Sequence, residues 1–246
     1  MAEKHYNEQV KYTNEYLIPY FKRHIPNWQK LKVLEIGCAE GGLINVFHNL
    51  EIDATGVEIS EKRVQLAISK NPNLKIVVGD IMDENLPNKL GKFDFIIMRD
   101  VIEHIPNKEI TFTNIEKLAN PNAYLFFSFP PKFSPFAGHQ QIGKTILKAV
   151  PYLHLLPTSI LKRLAKTMGE RDYYVGEIKL NYSTGMQIQK FENLCKSKKF
   201  IPIKKDVFLF RPIYAYRFGL PTIKLPNIPL IREVLTFGYE TLLQKI

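Results

Sequence analysis

Lys32-Val33-Leu34-Glu35-Ile36-Gly37-Cys38-Ala39-Glu40-Gly41-Gly42 decides the fold. An apolar run of strand length ends in a glycine-spaced turn, and a periodic segment, residues 42–49, follows at once. Glycines there allow a sharp bend and close approach of the backbone to a ligand, and the following helix aims its N-terminal amides at that ligand. Outward from this stretch the same rhythm repeats. Residues 52–57, 74–78, 93–98 and 123–129 read as strands, and residues 60–69 and 107–119 as the helices between them. Strands alternating with helical segments at this spacing predict a parallel sheet covered on both faces. Right-handed crossovers then gather the strand C-termini on one edge, where α/β folds bind ligands.

Two acids stand at the ends of these strands. Glu58 closes the second strand, where a carboxylate accepts hydrogen bonds from ribose hydroxyls, and Asp80 follows the third in Gly79-Asp80-Ile81, within reach of an adenine amino group. With these residues in view, residues 33–129 resemble the class I S-adenosylmethionine-dependent methyltransferases. Glu35-x-Gly37-x-x-x-Gly41, Gly56-Val57-Glu58 and Gly79-Asp80 fall in the order of that family's first three motifs. A dinucleotide-binding dehydrogenase would carry Gly at position 39, where this chain has Ala39. The resemblance implies a Rossmann-like α/β fold with a mostly parallel central sheet, helices on both faces and a helical lid insertion. It implies S-adenosylmethionine as cofactor, with Glu35 on the donor's amino group, Gly37 to Gly41 around its methionine portion, Glu58 on the ribose, and Asp80 with Ile81 framing the adenine. The expected donor-binding set is therefore Glu35, Gly37, Cys38, Ala39, Gly41, Glu58, Ile59, Asp80, Ile81 and Arg99. Cys38 has no base partner in sequence and reads as a small residue tolerated against the donor.

The fourth strand runs into Arg99-Asp100-Val101-Ile102-Glu103-His104. Asp100, Glu103 and His104 are spaced i, i+3 and i+4, which would share one face of a helical turn. Two carboxylates and an imidazole suit Mg²⁺ or another divalent cation, and His139 after the fifth strand would close the ligand set. The segment resembles the acid-x-x-Glu-His element of the ubiquinone-biosynthesis O-methyltransferases and of the small-RNA 2′-O-methyltransferases, and departs from both in placing Asp100 where they carry Glu. That likeness implies a metal that orients the acceptor hydroxyl and lowers its pKa. A metal-free reading stands beside it, with His104 as general base and Glu103 as its catalytic companion.

The expected organisation is a helical cap over residues 1–30, the methyltransferase domain over residues 31–218 with a lid insertion at residues 133–180, and a tail at residues 219–246. Within the insertion, Ile142, Ile146, Leu147, Val150 and Leu153, then Leu155, Leu156, Ile160, Leu161 and Leu164, form apolar stripes of two expected helices, flanked by Lys144, Lys148, Lys162, Arg163 and Lys166. Residues 200–218 alternate like a terminal antiparallel pair, and the tail ends in a segment expected to be amphipathic. Tyr173, Tyr174 and Tyr182 are read as a loop able to stack on a sugar or aromatic acceptor.

Composition narrows the partners. The chain has 246 residues, 45% of them hydrophobic, and a formal net charge of +10, which excludes a mainly disordered chain and favours anionic partners. Two cysteines, Cys38 and Cys195, are too few for a disulfide framework. Residues 1–10 lack the apolar core of a secretory signal, so the expected location is cytoplasmic. The leading expectation is O-methylation of a small-molecule, glycan or lipid-linked hydroxyl acceptor. A basic, apolar-striped lid would also allow peripheral contact with an anionic membrane at its inner face. RNA 2′-O-methylation and donor binding without catalysis are the alternatives. Nucleic acid is the weaker partner, since no appended RNA-binding motif accompanies the charge.

Overall fold

The computed structural model describes residues 2–246. Five strands arise where the sequence reading places them: β1 (Val33–Ile36), β2 (Ala54–Glu58), β3 (Lys75–Val78), β4 (Phe93–Arg99) and β5 (Ala119–Phe129). All four pairings among them are parallel. Helices α3 (Gly42–Asn49), α4 (Glu61–Lys70), α5 (Leu86–Leu90) and α6 (Lys108–Leu118) form the crossovers. Asn107 caps α6, its side chain accepting from the Ile110 amide at 3.1 Å.

Strand β5 shows how the period of two builds both faces at once. Leu125, Phe127 and Phe129 enter the core shared with Phe112 of α6, while Phe126 points into the opposite core with Phe21. Aromatic edges meet faces at 4.8 Å for Phe21–Phe95 and 5.0 Å for Phe127–Phe191, a geometry worth about 0.5–1.5 kcal/mol beyond area burial. The layer on Phe21's side is built by α1 (Ala2–Tyr12), a π turn (Thr13–Leu17) and α2 (Ile18–His24), with α3. The cap expected at the N-terminus is thus a packed layer of the domain.

The second half of the chain departs from the sequence reading. The first apolar stripe of the insertion is broken by Gly143 and Pro151 into 3₁₀ turns, and only the second is a helix, α7 (Thr158–Thr167). The tyrosine loop is helix α8 (Tyr174–Thr184), followed by α9 (Ile188–Ser197). Residues 200–218 are one strand, β6 (Phe200–Phe210), then helix α10 (Pro212–Phe218), with proline at its first position. Beyond them lie the short strand β7 (Ile223–Leu225), a single turn α11 (Ile231–Val234) and the strand β8 (Gly238–Lys245).

The segment expected to be amphipathic is therefore a strand, and a central one. The sheet order is β3-β2-β1-β4-β5-β8-β6-β7, with β8 antiparallel to both neighbours. Tyr239 and Leu243 face one core and Leu242 the other, so the segment is apolar on both faces as an interior strand requires. A boundary at residue 218 cuts through this sheet. Among the described residues no helix is long and apolar enough to cross a membrane.

Candidate functional site

A cavity of about 590 Å³ opens at the C-terminal edge of the parallel strands. The turn after β1 forms its floor. Gly37, Ala39 and Gly41 all have positive φ, at +74°, +50° and +73°. A methyl at position 37 would come within 2.2 Å of the Val101 side chain, so glycine is required there by both dihedral and space. Glu58 fastens the turn: one carboxylate oxygen accepts from the Ala39 amide at 2.9 Å and the other from the Ser60 amide at 2.9 Å. Each oxygen keeps lone pairs for a further donor. Asp80 accepts from the Met82 amide at 2.8 Å, and Ile81 is buried beside it.

At the other end of the cavity, β4 delivers Arg99, Asp100 and the 3₁₀ turn Ile102–His104. The Arg99 guanidinium pairs with Glu35 at 2.5 Å, leaving the second oxygen of Glu35 buried without a partner. Asp100 pairs with Arg211, at the entrance to α10, at 2.6 Å. Burial works against the charge on Asp100, yet Arg211, with Arg217 and Arg99, holds its carboxyl below the usual carboxylate range. His104 stands on the cavity wall with 42% of its side chain exposed. Partial burial lowers its pKa against the pull of Asp100, so the imidazole is neutral at pH 7. The Lys108 ammonium secures the turn below it, donating to the carbonyls of Ile102 and Ile105 and, at 2.7 Å, to that of Thr184.

Of the expected donor-binding residues, Gly37, Ala39, Glu58, Ile59, Asp80, Ile81 and Arg99 line the cavity. Glu35, Cys38 and Gly41 stand behind its wall. Glu35 acts through Arg99; Cys38 is fully buried against Gly56, and Gly41 against Ile76 and Ala67. These residues fit S-adenosylmethionine: Glu58 has acceptor capacity left for ribose hydroxyls, and the Arg99 guanidinium on the wall, held from behind by Glu35, matches the carboxylate of the donor's amino-acid portion.

The metal set does not assemble. Asp100 takes a left-handed conformation (φ +54°), and the helical turn begins only at Ile102, so Asp100, Glu103 and His104 do not share one helical face. Its carboxylate is already neutralised by Arg211. Glu103 is buried, and burial together with Asp100 pushes its carboxyl up to about 8. His139 meets His104 ring edge to ring face at 4.9 Å, and burial lowers its pKa to about 4. Among the described residues no three His, Cys, Asp or Glu side chains could hold a metal ion. Glu103 lies behind the wall, 3.9 Å from the His104 imidazole, and does not touch the cavity.

Several wall residues were missed from sequence. His5, Gln9 and Tyr12 come from α1, Arg63 from α4, and Arg211 and Arg217 from α10 and its entrance. Gln9 accepts from the Gly42 amide at 3.0 Å, capping α3 from outside, while His5 pairs with Glu40. Arg217 holds Glu8 at 3.0 Å, tying α10 to α1 across the opening. None of these residues lies in a glycine-spaced or acid-ended motif.

A methyltransferase domain model matches residues 6–170. The ubiquinone biosynthesis O-methyltransferase of Pelagibacter ubique is 27% identical over 124 residues, covering 49% of this chain and 51% of that protein. Norajmaline N-methyltransferase of Rauvolfia serpentina is 32% identical over 105 residues, covering 40% of this chain and 35% of that one. The chain thus spans about half the length, or less, of these curated relatives. Among solved structures, a SAM-dependent methyltransferase from Archaeoglobus fulgidus superposes with a TM-score of 0.54 at 14% identity over 94% of each chain.

Proposed function

The chain belongs to the methyltransferase domain family, with the Rossmann-like fold of class I S-adenosylmethionine-dependent enzymes, and from that premise we propose that it methylates a hydroxyl oxygen, with His104 as general base. One observation carries this reading. A single cavity is lined at one end by Glu58 and Asp80 and at the other by a neutral, half-exposed imidazole.

S-adenosylmethionine supplies an activated methyl group and a neutral thioether leaving group. Glu58 would hold the ribose, Asp80 and Ile81 the adenine, and Arg99 with Glu35 the amino-acid portion. What remains for the protein is alignment of the acceptor and removal of its proton. An aliphatic or phenolic hydroxyl is a weak nucleophile while protonated, whereas an amine already offers a lone pair. A neutral imidazole at the acceptor end is therefore better matched to oxygen. His104 would take up the proton of the acceptor hydroxyl as that oxygen is methylated. The acceptor is a small-molecule, glycan or lipid-linked hydroxyl compound.

The test combines binding with turnover. Calorimetric titration of the protein with S-adenosylmethionine should give one site per chain. His104→Gln should keep that affinity while lowering methyl transfer to hydroxyl acceptors about 10²–10⁴-fold. It should also remove the acid limb of the rate profile, which reflects protonation of His104. Full turnover by His104→Gln would overturn the assignment of the base, and absence of donor binding by the native protein would overturn the reading as a whole.

A further inference from the structure

Helix α7 presents two apolar faces, and only one of them is covered. Leu161 and Ala165 pack into the small lid core with Leu147, Leu153, Tyr174 and Ile178. Ile160, Leu164 and Met168, at successive i, i+4 positions, lie outside that core with 48%, 38% and 42% of their surface exposed. Ile146, on the adjoining 3₁₀ turn, is 68% exposed.

The side-chain charge along this stripe is positive, and the carboxylate that follows it in the chain, Glu170, is taken up by the Lys144 and Thr145 amides and the Thr145 hydroxyl. Residues 142–168 contain Lys144, Lys148, Lys162, Arg163 and Lys166 and no Asp or Glu. Among the described residues none of these five side chains forms a salt bridge. A protein partner of mixed surface charge gives no reason for a segment this long to exclude carboxylates. An interface with a uniform negative potential above an apolar interior does, because the apolar stripe enters the acyl boundary while the cations remain at headgroup level.

We propose that the α7 face of the lid docks on an anionic lipid bilayer. Docking there sets the lid's outer face on the membrane and its inner side over the acceptor end of the cavity. Helix α8 packs between α7 and the turn carrying His104, and His139 of the same insertion touches the His104 ring. Delivery of a bilayer-held hydroxyl acceptor to that end rests on the function proposed above; the docking itself does not.

Sedimentation with lipid vesicles tests the docking without donor or acceptor, so its failure and the failure of methyl transfer are separable. The native protein should pellet with phosphatidylglycerol vesicles, stay in solution with pure phosphatidylcholine vesicles, and be released by high salt. Replacing Lys162, Arg163 and Lys166 together by Gln should weaken partitioning about a hundredfold. Ile160→Ser with Leu164→Ser should weaken it at least about tenfold. Both residues are exposed, so thermal melts and S-adenosylmethionine affinity should match the native protein and certify the fold. Equal partitioning onto phosphatidylcholine, no partitioning at all, or undiminished partitioning of either variant would overturn the proposal. So would a native dimer in sedimentation equilibrium that the Ile160→Ser, Leu164→Ser variant loses, since a second copy would then be what covers the stripe.

Discussion

Glu58 concentrates more of the site than any other side chain, since its two oxygens hold the glycine turn from one side and the start of α4 from the other. Glu58→Gln replaces one acceptor by a donor that faces a backbone amide. The expected result is a loss of S-adenosylmethionine affinity of about 10–100-fold in calorimetry, the range for a lost charged hydrogen bond. Glu103 makes a different prediction. Burial, reinforced by Asp100, raises its folded pKa to about 8 from an ordinary 4.5. A carboxyl shifted upward favours the folded state below the ordinary value, and that contribution is lost as pH rises through the folded value. Glu103→Gln cannot ionise, so its melting temperature relative to the native protein should climb between pH 4.5 and 8 and level off above, ending about 2–4 °C higher for each kcal/mol recovered. Residues such as Glu58 and Asp80 were legible because each ends a strand and is announced by its local pattern. The Asp100–Arg211 pair was not, since nothing in a sequence joins positions 111 residues apart. That unseen guanidinium removes Asp100 from the metal set.

At the level of elements, legibility followed how unbroken a segment's apolar run is rather than how deeply it is buried: β3 is largely exposed and was read, whereas β8 is largely buried and was not. Strands β1 to β5 are continuous apolar runs between glycine, asparagine and proline punctuation, and were read nearly in place. Segment 238–245 carries Glu240, Thr241 and Gln244 among its apolar residues, so its pattern fits a half-buried helix as well as a strand inserted between two others. Helix α1 was recognised as helical, but its role as a wall of the cavity was not, because the helix is polar overall and its links to the glycine turn are polar bonds from Gln9 and His5. One of these is testable. Gln9→Ala leaves the Gly42 amide without its acceptor, which should lower stability by about 1–2 kcal/mol in urea denaturation and weaken donor binding more than it changes the pH profile of turnover.

Taken whole, the molecule is closed by contacts between its first and last elements. Tyr12 and Tyr16 donate to Glu240 of β8 at 3.2 and 2.7 Å, while, among the described residues, β8 alone carries the strand pairing between β5 of the parallel half and β6. Removing residues 238–246 should therefore do more than shorten the sheet. It exposes two long strand edges and orphans both tyrosine hydroxyls, and the expected product lacks a cooperative thermal transition by circular dichroism.

That closure also has a consequence in time. Tyr12 is part of the cavity wall, and the carboxylate that anchors it is made 228 residues later. While a ribosome still holds the final strand in its exit tunnel, the glycine turn and its acids already exist but the chamber around them does not. A polypeptide stalled at that stage should fail to retain the methyl donor, and competence should arrive abruptly once β8 has emerged rather than by degrees during synthesis.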